Sequence, residues 1–241
     1  MRLSLSSKRI NYLKFLYVTT IILALSSFFI FAYIISIADA QKASNSTKLN
    51  TLFETANTLF NQKKYDEAIP YYDKILAINT SEIDALNHKG ISLWALHKYK
   101  EALPYFDQIL AINSSNVKAL NNKGLALLAL EKNDDAIRYF DRVLSINASD
   151  VYAINNKAEA LAEMGKNEEA LSVIKKAAID NPKDDTLQST MAFILANMGK
   201  DNEAILYYEK SLKINPNLNE TLYEKELDEF NRLMGNKPKQ Q

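Results

Sequence analysis

Asparagine recurs along this chain at fixed spacing: Asn87, Asn121 and Asn155 stand 34 residues apart, and Asn122 and Asn156 directly follow two of them. A carboxamide carries two N–H donors and a carbonyl acceptor, so a column of them suits the backbone of an extended polypeptide ligand. Phe60, Ile91, Trp94, Leu125 and Leu128 lie on the same stretches of chain. An accessible apolar cluster of this kind marks a partner surface, with tryptophan a favoured anchor. Glu159 and Glu163 would add an acidic wall beyond it. A segment bound along this line would then be apolar at one end and basic at the other. Two plainer roles compete: the amides would satisfy backbone between packed repeats, and the apolar residues would be ordinary inter-helix packing.

Covalent chemistry has little to draw on. His88 and His97 are the only histidines, and with no cysteine there is no disulfide, thiolate metal site or cysteine nucleophile. No Gly-rich phosphate loop, nucleophile elbow or histidine–acid constellation is present. No enzyme activity, metal or cofactor is expected. Basic and acidic residues balance at 29 each, which removes the electrostatic case for nucleic acid.

The elements that must position these residues are helices. Glycine and proline number 5 each, too few to punctuate a sheet protein. Ala68, Ala102, Ala136, Ala170 and Ala204 recur every 34 residues without drift, and related segments surround each one. Numbered from 1 within each repeat, positions 4, 8 and 11 form a helical stripe (Leu86, Gly90, Leu93; Leu120, Gly124, Leu127), and positions 20, 21, 24 and 28 form another on the next helix. One hairpin cannot bury both, so the repeats must stack. Positions 2, 5, 9 and 12 form a second stripe on each first helix, and it carries the asparagine column, the apolar set, Lys118 and Glu159. Pro70 and Pro104 would be costly in a helix interior, which predicts second helices beginning near Asp66 and Lys100, or kinked there.

The chain resembles the tetratricopeptide repeat (TPR) family, whose unit is a 34-residue helix–turn–helix. Its small residue at position 8 appears as Ala56, Gly90, Gly124, Ala158 and Ala192, its aromatic at position 24 as Tyr72, Phe106, Phe140 and Tyr208, and its proline at position 32 as Pro182 and Pro216. The resemblance implies an all-α solenoid, a right-handed superhelix of five repeats at 49–82, 83–116, 117–150, 151–184 and 185–218. A capping helix would follow at 219–235, with Tyr223, Leu227, Phe230 and Met234 on one face and Gly235 and Pro238 ending it, and then a tail at 236–241. It also implies that the second stripe lines a concave groove that binds peptides or partner helices. The family's carboxylate clamp for chaperone C-termini would fall on Phe53, Asn57, His88, Lys118 and Asn122; only Asn57 and Lys118 match, so that mechanism is rejected.

From Phe15 to Ala38 run 24 residues without a charge, 14 of them Leu, Ile, Val or Phe. As a helix they would span roughly 36 Å against a hydrocarbon core of about 30 Å. Arg2, Lys8, Arg9 and Lys14 precede them in a basic segment 1–14, so a signal-anchor with a cytoplasmic N-terminus and an extracytoplasmic array is expected. The alternative is cleavage after Ala40, giving a secreted binder. Residues 39–48 read as a polar linker. Asn45, Asn79, Asn113, Asn147 and Asn219 head Asn-x-Ser/Thr sequons. Glycosylation would suit that compartment, but N-capping by Ser81 and Ser115 better explains the recurring Ser/Thr. The expected role is a membrane-held scaffold that binds a protein or peptide, with a self-associating envelope component as the alternative.

Overall fold

The computed structural model describes the backbone of residues 2–218 and 224–235; the side chains of 2–16, 18–29, 32, 224–227 and 234 lie outside the described set. The described residues form helices only: α1 (Arg2–Asn61), α2 (Tyr65–Ile78), α3 (Ile83–Ala95), α4 (Tyr99–Ile112), α5 (Val117–Leu128), α6 (Asn133–Ile146), α7 (Val151–Glu163), α8 (Asn167–Asp180), α9 (Asp185–Asn197), α10 (Asp201–Ile214) and α11 (Glu224–Gly235). They divide into two compact units, 1–55 and 56–241.

The first unit is helical throughout its described length, so the linker expected at 39–48 is helix instead. The physical reason lies in what is missing: no glycine or proline precedes Pro70, so nothing in QKASNSTK breaks the backbone. Thr47, Thr51 and Thr55 direct their hydroxyls onto carbonyls four residues back, absorbing side-chain donors that could otherwise compete for the backbone. Among the described residues no helix is long and apolar enough to cross a membrane; the expected span at 15–38 lies largely outside them, since its side chains at 18–29 are not described. Those described in its distal part, Ile30, Phe31, Tyr33, Ile34, Ile35 and Ile37, are all exposed.

The second unit is built from hairpins that close in one way. Each first helix ends with a position-15 residue at positive φ: Lys63, His97, Glu131, Gly165 and Gly199. Around each, two backbone bonds run back across the turn, as with His97 N–H to Trp94 C=O and Lys98 N–H to Leu93 C=O, both 2.9 Å. This is a Schellman closure, and it normally selects glycine at the left-handed residue. Second helices end on an asparagine whose Oδ1 accepts from the backbone N–H two residues on: Asn79 from Ser81, Asn113 from Ser115, Asn147 from Ser149. The serines are therefore not the helix caps. The following residues hold that position, and Asn116, Asp150 and Asp184 accept from Ala119, Ala153 and Leu187 N–H. Glu82 occupies the same place without a side-chain cap bond. α2 and α4 run through Pro70 and Pro104 after starting at Tyr65 and Tyr99, one residue earlier than expected. Both prolines are exposed.

Stacking buries the alanine column completely. Phe106 and Phe140 fill the hairpins of repeats two and three so tightly that a Cβ on Gly90 would stand 2.6 Å from the Phe106 ring, and one on Gly124 would collide with Phe140. Where position 8 is alanine, position 24 is Tyr72, Ile174 or Tyr208 instead. Gln188 replaces the aliphatic residue of position 4 in repeat five; fully buried, its Nε2 donates to Ala178 C=O at 2.9 Å and Asn181 C=O at 3.3 Å, and so satisfies the end of α8. The array closes on α11, whose Phe230 meets Tyr208 edge-on at 5.2 Å while Arg232 pairs with Asp201 at 3.0 Å. Leu233 is the second buried residue of this cap. Of the apolar face expected there, Tyr223 and the side chains of Leu227 and Met234 lie outside the described residues, as do 219–223 and the tail 236–241.

Candidate partner-binding groove

The second stripe changes character along the array. At position 5, Asn87 and Asn121 are half-buried whereas Asn155 and Ser189 are 6% and 3% exposed. At position 9, Ile91 and Leu125 are half-buried, while Glu159 and Phe193 are 3% and 4% exposed. In α9 every residue from Leu187 to Ala196 is buried. Small side chains permit this: Ala162 and Ala196 stand at position 12, where repeats two and three carry Trp94 and Leu128. At positions 5 and 9 the stripe is thus half-buried in α3 and α5 and enclosed in α7 and α9, whereas Leu128 at position 12 is already buried and Tyr152 at position 2 is exposed.

On the accessible part, Ile91, Trp94 and Leu125 meet Phe106 and Asn122 around a cavity of about 150 Å³. A second cavity, of about 260 Å³, shares Trp94 and Leu125 and is otherwise walled by His97, Tyr99, Leu128, Ala129, Glu159 and Glu163. The Trp94 Nε1–H is shielded from solvent and has no hydrogen-bond partner among the described residues, and the same holds for Asn121 Oδ1 and Asn155 Oδ1. His97 Nδ1 lies 2.6 Å from the Tyr99 hydroxyl, fixing the ring beside the tryptophan.

Of the sequence-predicted set, Ile91, Trp94, Asn122, Leu125, Leu128 and Glu159 line the two cavities, and the others lie elsewhere. Phe60 leaves the patch: it packs edge-on against Tyr65 at 5.4 Å and His88 at 4.9 Å. Asn155 and Glu159 sit inside the wall and not on an open face. Asn122 Nδ2 donates to Asn87 Oδ1 at 2.9 Å, so these two amides bond each other between repeats; this is close to the plainer role, with a side chain in place of backbone. Lys118 is exposed and lines a separate depression with Asp84, Asn87 and His88. Asn156 is half-buried. Asn45, Asn79, Asn113 and Asn147 are exposed, and Asn219 lies outside the described residues.

Sequence reasoning missed a polar ladder between successive repeats, whose Asp107, Lys123 and Tyr139 line a different depression from the two cavities. Lys89 pairs with Asp73 of the preceding repeat and lies 4.4 Å over the Tyr105 ring. Lys123 repeats this with Asp107 and Tyr139. Lys157 pairs with Asp141 at 2.6 Å. The signal was available, since Lys89, Lys123 and Lys157 are spaced by 34 residues, as are Asp73, Asp107 and Asp141. Burial alone would lower the Lys89 and Lys123 ammonium groups, but hydrogen bonds to the aspartates and tyrosines outweigh it and raise both. The ladder stops at Met191, which faces the core of repeats four and five. Tyr72 is buried, donates to Asn57 Oδ1 at 3.0 Å and stacks on His88; burial pushes its hydroxyl up to about 12.

Three repeat-family models match the chain: two tetratricopeptide-repeat models at 49–82 and 88–152, and the model of the psidin N-terminal TPR region at 126–227. No curated protein sequence matches it. Among solved structures, MamA residues 41-end from Desulfovibrio magneticus RS-1 is 18% identical with TM-score 0.62, covering 70% of this chain and 96% of that one. TTC0263, a thermophilic TPR protein of Thermus thermophilus, is 19% identical with TM-score 0.61, covering 78% and 97%. YrrB, described as a TPR protein with an unusual peptide-binding site, is 25% identical with TM-score 0.53, covering 68% and 85%. The chain carries tetratricopeptide repeats, matched at 49–82, 88–152 and 126–227.

Proposed function

We propose that the array binds an extended segment of another protein along α3 and α5, non-covalently, and that residues 15–38 hold it at a membrane with the repeats on the extracytoplasmic side. The observation that carries the binding reading is the selective opening of the stripe: two cavities converge on Trp94 where the equivalent positions of repeats four and five are sealed. The peptide-binding site named for YrrB supports the same class of ligand. Capture of peptides by the full chain in detergent tests it, and Trp94→Ala should abolish capture; unchanged binding would defeat the reading.

The uncharged run and the cationic residues before it support the anchor, as do the exposed isoleucines of its distal part. Because the chain lacks cysteine, Ser7→Cys and Ser44→Cys can be probed in intact cells with an impermeant thiol reagent. Labelling of Ser44→Cys alone is expected; labelling of Ser7→Cys alone reverses the topology. N-terminal sequencing of native protein reveals any cleavage after Ala40. Glycosylation at the exposed sequons Asn45, Asn79, Asn113 and Asn147 would accompany that side of the membrane, read by mass shift of the native protein.

One feature favours self-association as a second reading. Ile78, Ile112 and Ile146 end successive second helices 34 residues apart and are 40%, 48% and 49% exposed, an apolar row no described residue covers. Light scattering of the full chain and its Ile112→Lys variant separates the two: a size that falls in the variant supports assembly through this row.

A further inference from the structure

The smaller cavity has a counterpart one repeat earlier that the chain fills with a ring of its own. The cavity lies where positions 9, 12 and 24 of repeat two (Ile91, Trp94 and Phe106) meet positions 6 and 9 of repeat three (Asn122 and Leu125). Between repeats one and two, positions 12, 24 and 6 are Phe60, Tyr72 and His88. There the His88 imidazole stacks on Tyr72, with centroids 5.7 Å apart and planes 11° from parallel, and meets Phe60 edge-on at 4.9 Å. Its Nδ1 faces the Asp84 carbonyl at 2.8 Å, which holds the ring in place. Asn122 is shorter, and its Nδ2 is bonded to Asn87 Oδ1, so a space of about 150 Å³ is left against Trp94 and Phe106. Phe106 is 1% exposed whereas Ile91, Trp94, Asn122 and Leu125 are half-buried; the phenylalanine is the floor and the others form the rim.

We propose, resting on the segment-binding reading above, that this cavity takes the ring of one phenylalanine of the bound segment, in the place His88 takes one repeat earlier. Phe106 stands where Tyr72 stacks on His88, and Trp94 where Phe60 meets it edge-on, so an entering ring finds both of the arrangements that aromatic pairs prefer. An apolar cavity of about 150 Å³ accepts a benzene-sized group. A charged side chain is excluded, because apart from Asn122 the wall is aliphatic and aromatic.

Trp94 is the sole tryptophan, so its emission reports on the cavity. The test titrates the full chain in detergent with N-acetyl-phenylalanine amide, N-acetyl-leucine amide and a short Gly/Ser peptide bearing one phenylalanine, followed by emission and by calorimetry. The phenylalanine amide should move the emission and bind at least about threefold tighter than the leucine amide, and the peptide tighter still. Asn122→His places an imidazole where His88 has its own and should abolish the response. Asn122→Ala loses the same bond to Asn87 but keeps the cavity open, and should retain the response. A leucine amide that binds as tightly, a response that survives Asn122→His, or one lost in both variants overturns the ring site; a peptide that still releases heat then binds elsewhere on the array. A phenylalanine amide that binds while the peptide binds no tighter overturns the segment reading instead. No binding of any probe by either signal overturns both.

Discussion

Repeats two and three and repeats four and five are written in the same register and close with the same turns, yet they use their inner faces differently. In the former pair, bulky Trp94, Leu125 and Leu128 hold neighbouring first helices around open cavities, and a lysine–aspartate ladder ties successive repeats alongside. In the latter, alanines at position 12 and an α9 buried from Leu187 to Ala196 turn the same face into core, which continues through Tyr208 to Phe230 of α11. A smaller side chain at position 12, alanine in repeats four and five against Trp94 and Leu128, accompanies the change from groove to capping block. A solenoid can hold both without altering its backbone plan, because each repeat answers only to its neighbours.

The sharpest way to break this contrast is to hollow out one side of it. Phe140→Ala should cost about 3–5 kcal/mol in urea unfolding. Hydrogen exchange should then show protection lost in α5 and α6 but kept in α9 and α10; equal loss in both would mean the array unfolds as a single block. Next in size is a reciprocal pair. Gly124→Ala forces a methyl into the Phe140 ring and should destabilise by about 1–3 kcal/mol despite its better helix propensity. Ala192→Gly, made in the enclosed half, should cost about 1 kcal/mol from propensity and lost burial. A stabilising Gly124→Ala would show that the ring has room to shift.

Turns sharpen the contrast at a smaller scale. His97→Gly and Glu131→Gly remove a side chain from left-handed backbone and should each stabilise by up to about 1 kcal/mol, whereas Gly165→Ala and Gly199→Ala should cost a similar amount. Melting temperatures of the four variants check the sign. The smallest effect is alkaline. Tyr72 titrates higher in the folded state than unfolded, and Lys89 and Lys123 are shifted the same way, so their contribution is complete below about pH 10 and is lost as pH rises towards 12. Melting temperature should be level up to pH 10 and fall above it, and Tyr72→Phe should shallow the fall.

The skeleton is plain in the primary structure because it rests on strict periodicity: the alanine column and the pairing of Gly90 with Phe106 both follow from one 34-residue rule. The groove is only half legible there. Periodicity identifies which residues share a face, but not how near the next helix comes, so Asn155 and Glu159 read as open and are enclosed. Phe60 departs from its expected place because its ring has a better partner in His88, a contact between repeats that no helical spacing reveals. The helical run through 39–48 escapes for a different cause: polarity suggests a linker, yet a stretch without glycine or proline has no reason to stop. Lys63, His97 and Glu131 adopt the turn geometry of glycine at an energetic cost that the overall stacking offsets.

The coupling of position 8 to position 24 also bears on how such an array can change over generations. Glycine faces phenylalanine in two repeats, while alanine faces tyrosine or isoleucine in the other three. A crossover falling inside a hairpin would join a methyl to a ring it cannot clear, or leave a gap beneath a ring set for a methyl. Repeats exchanged at breakpoints in the short links between hairpins would keep each position 8 with its own position 24, so whole 34-residue modules, not single helices, are the units such an array can trade.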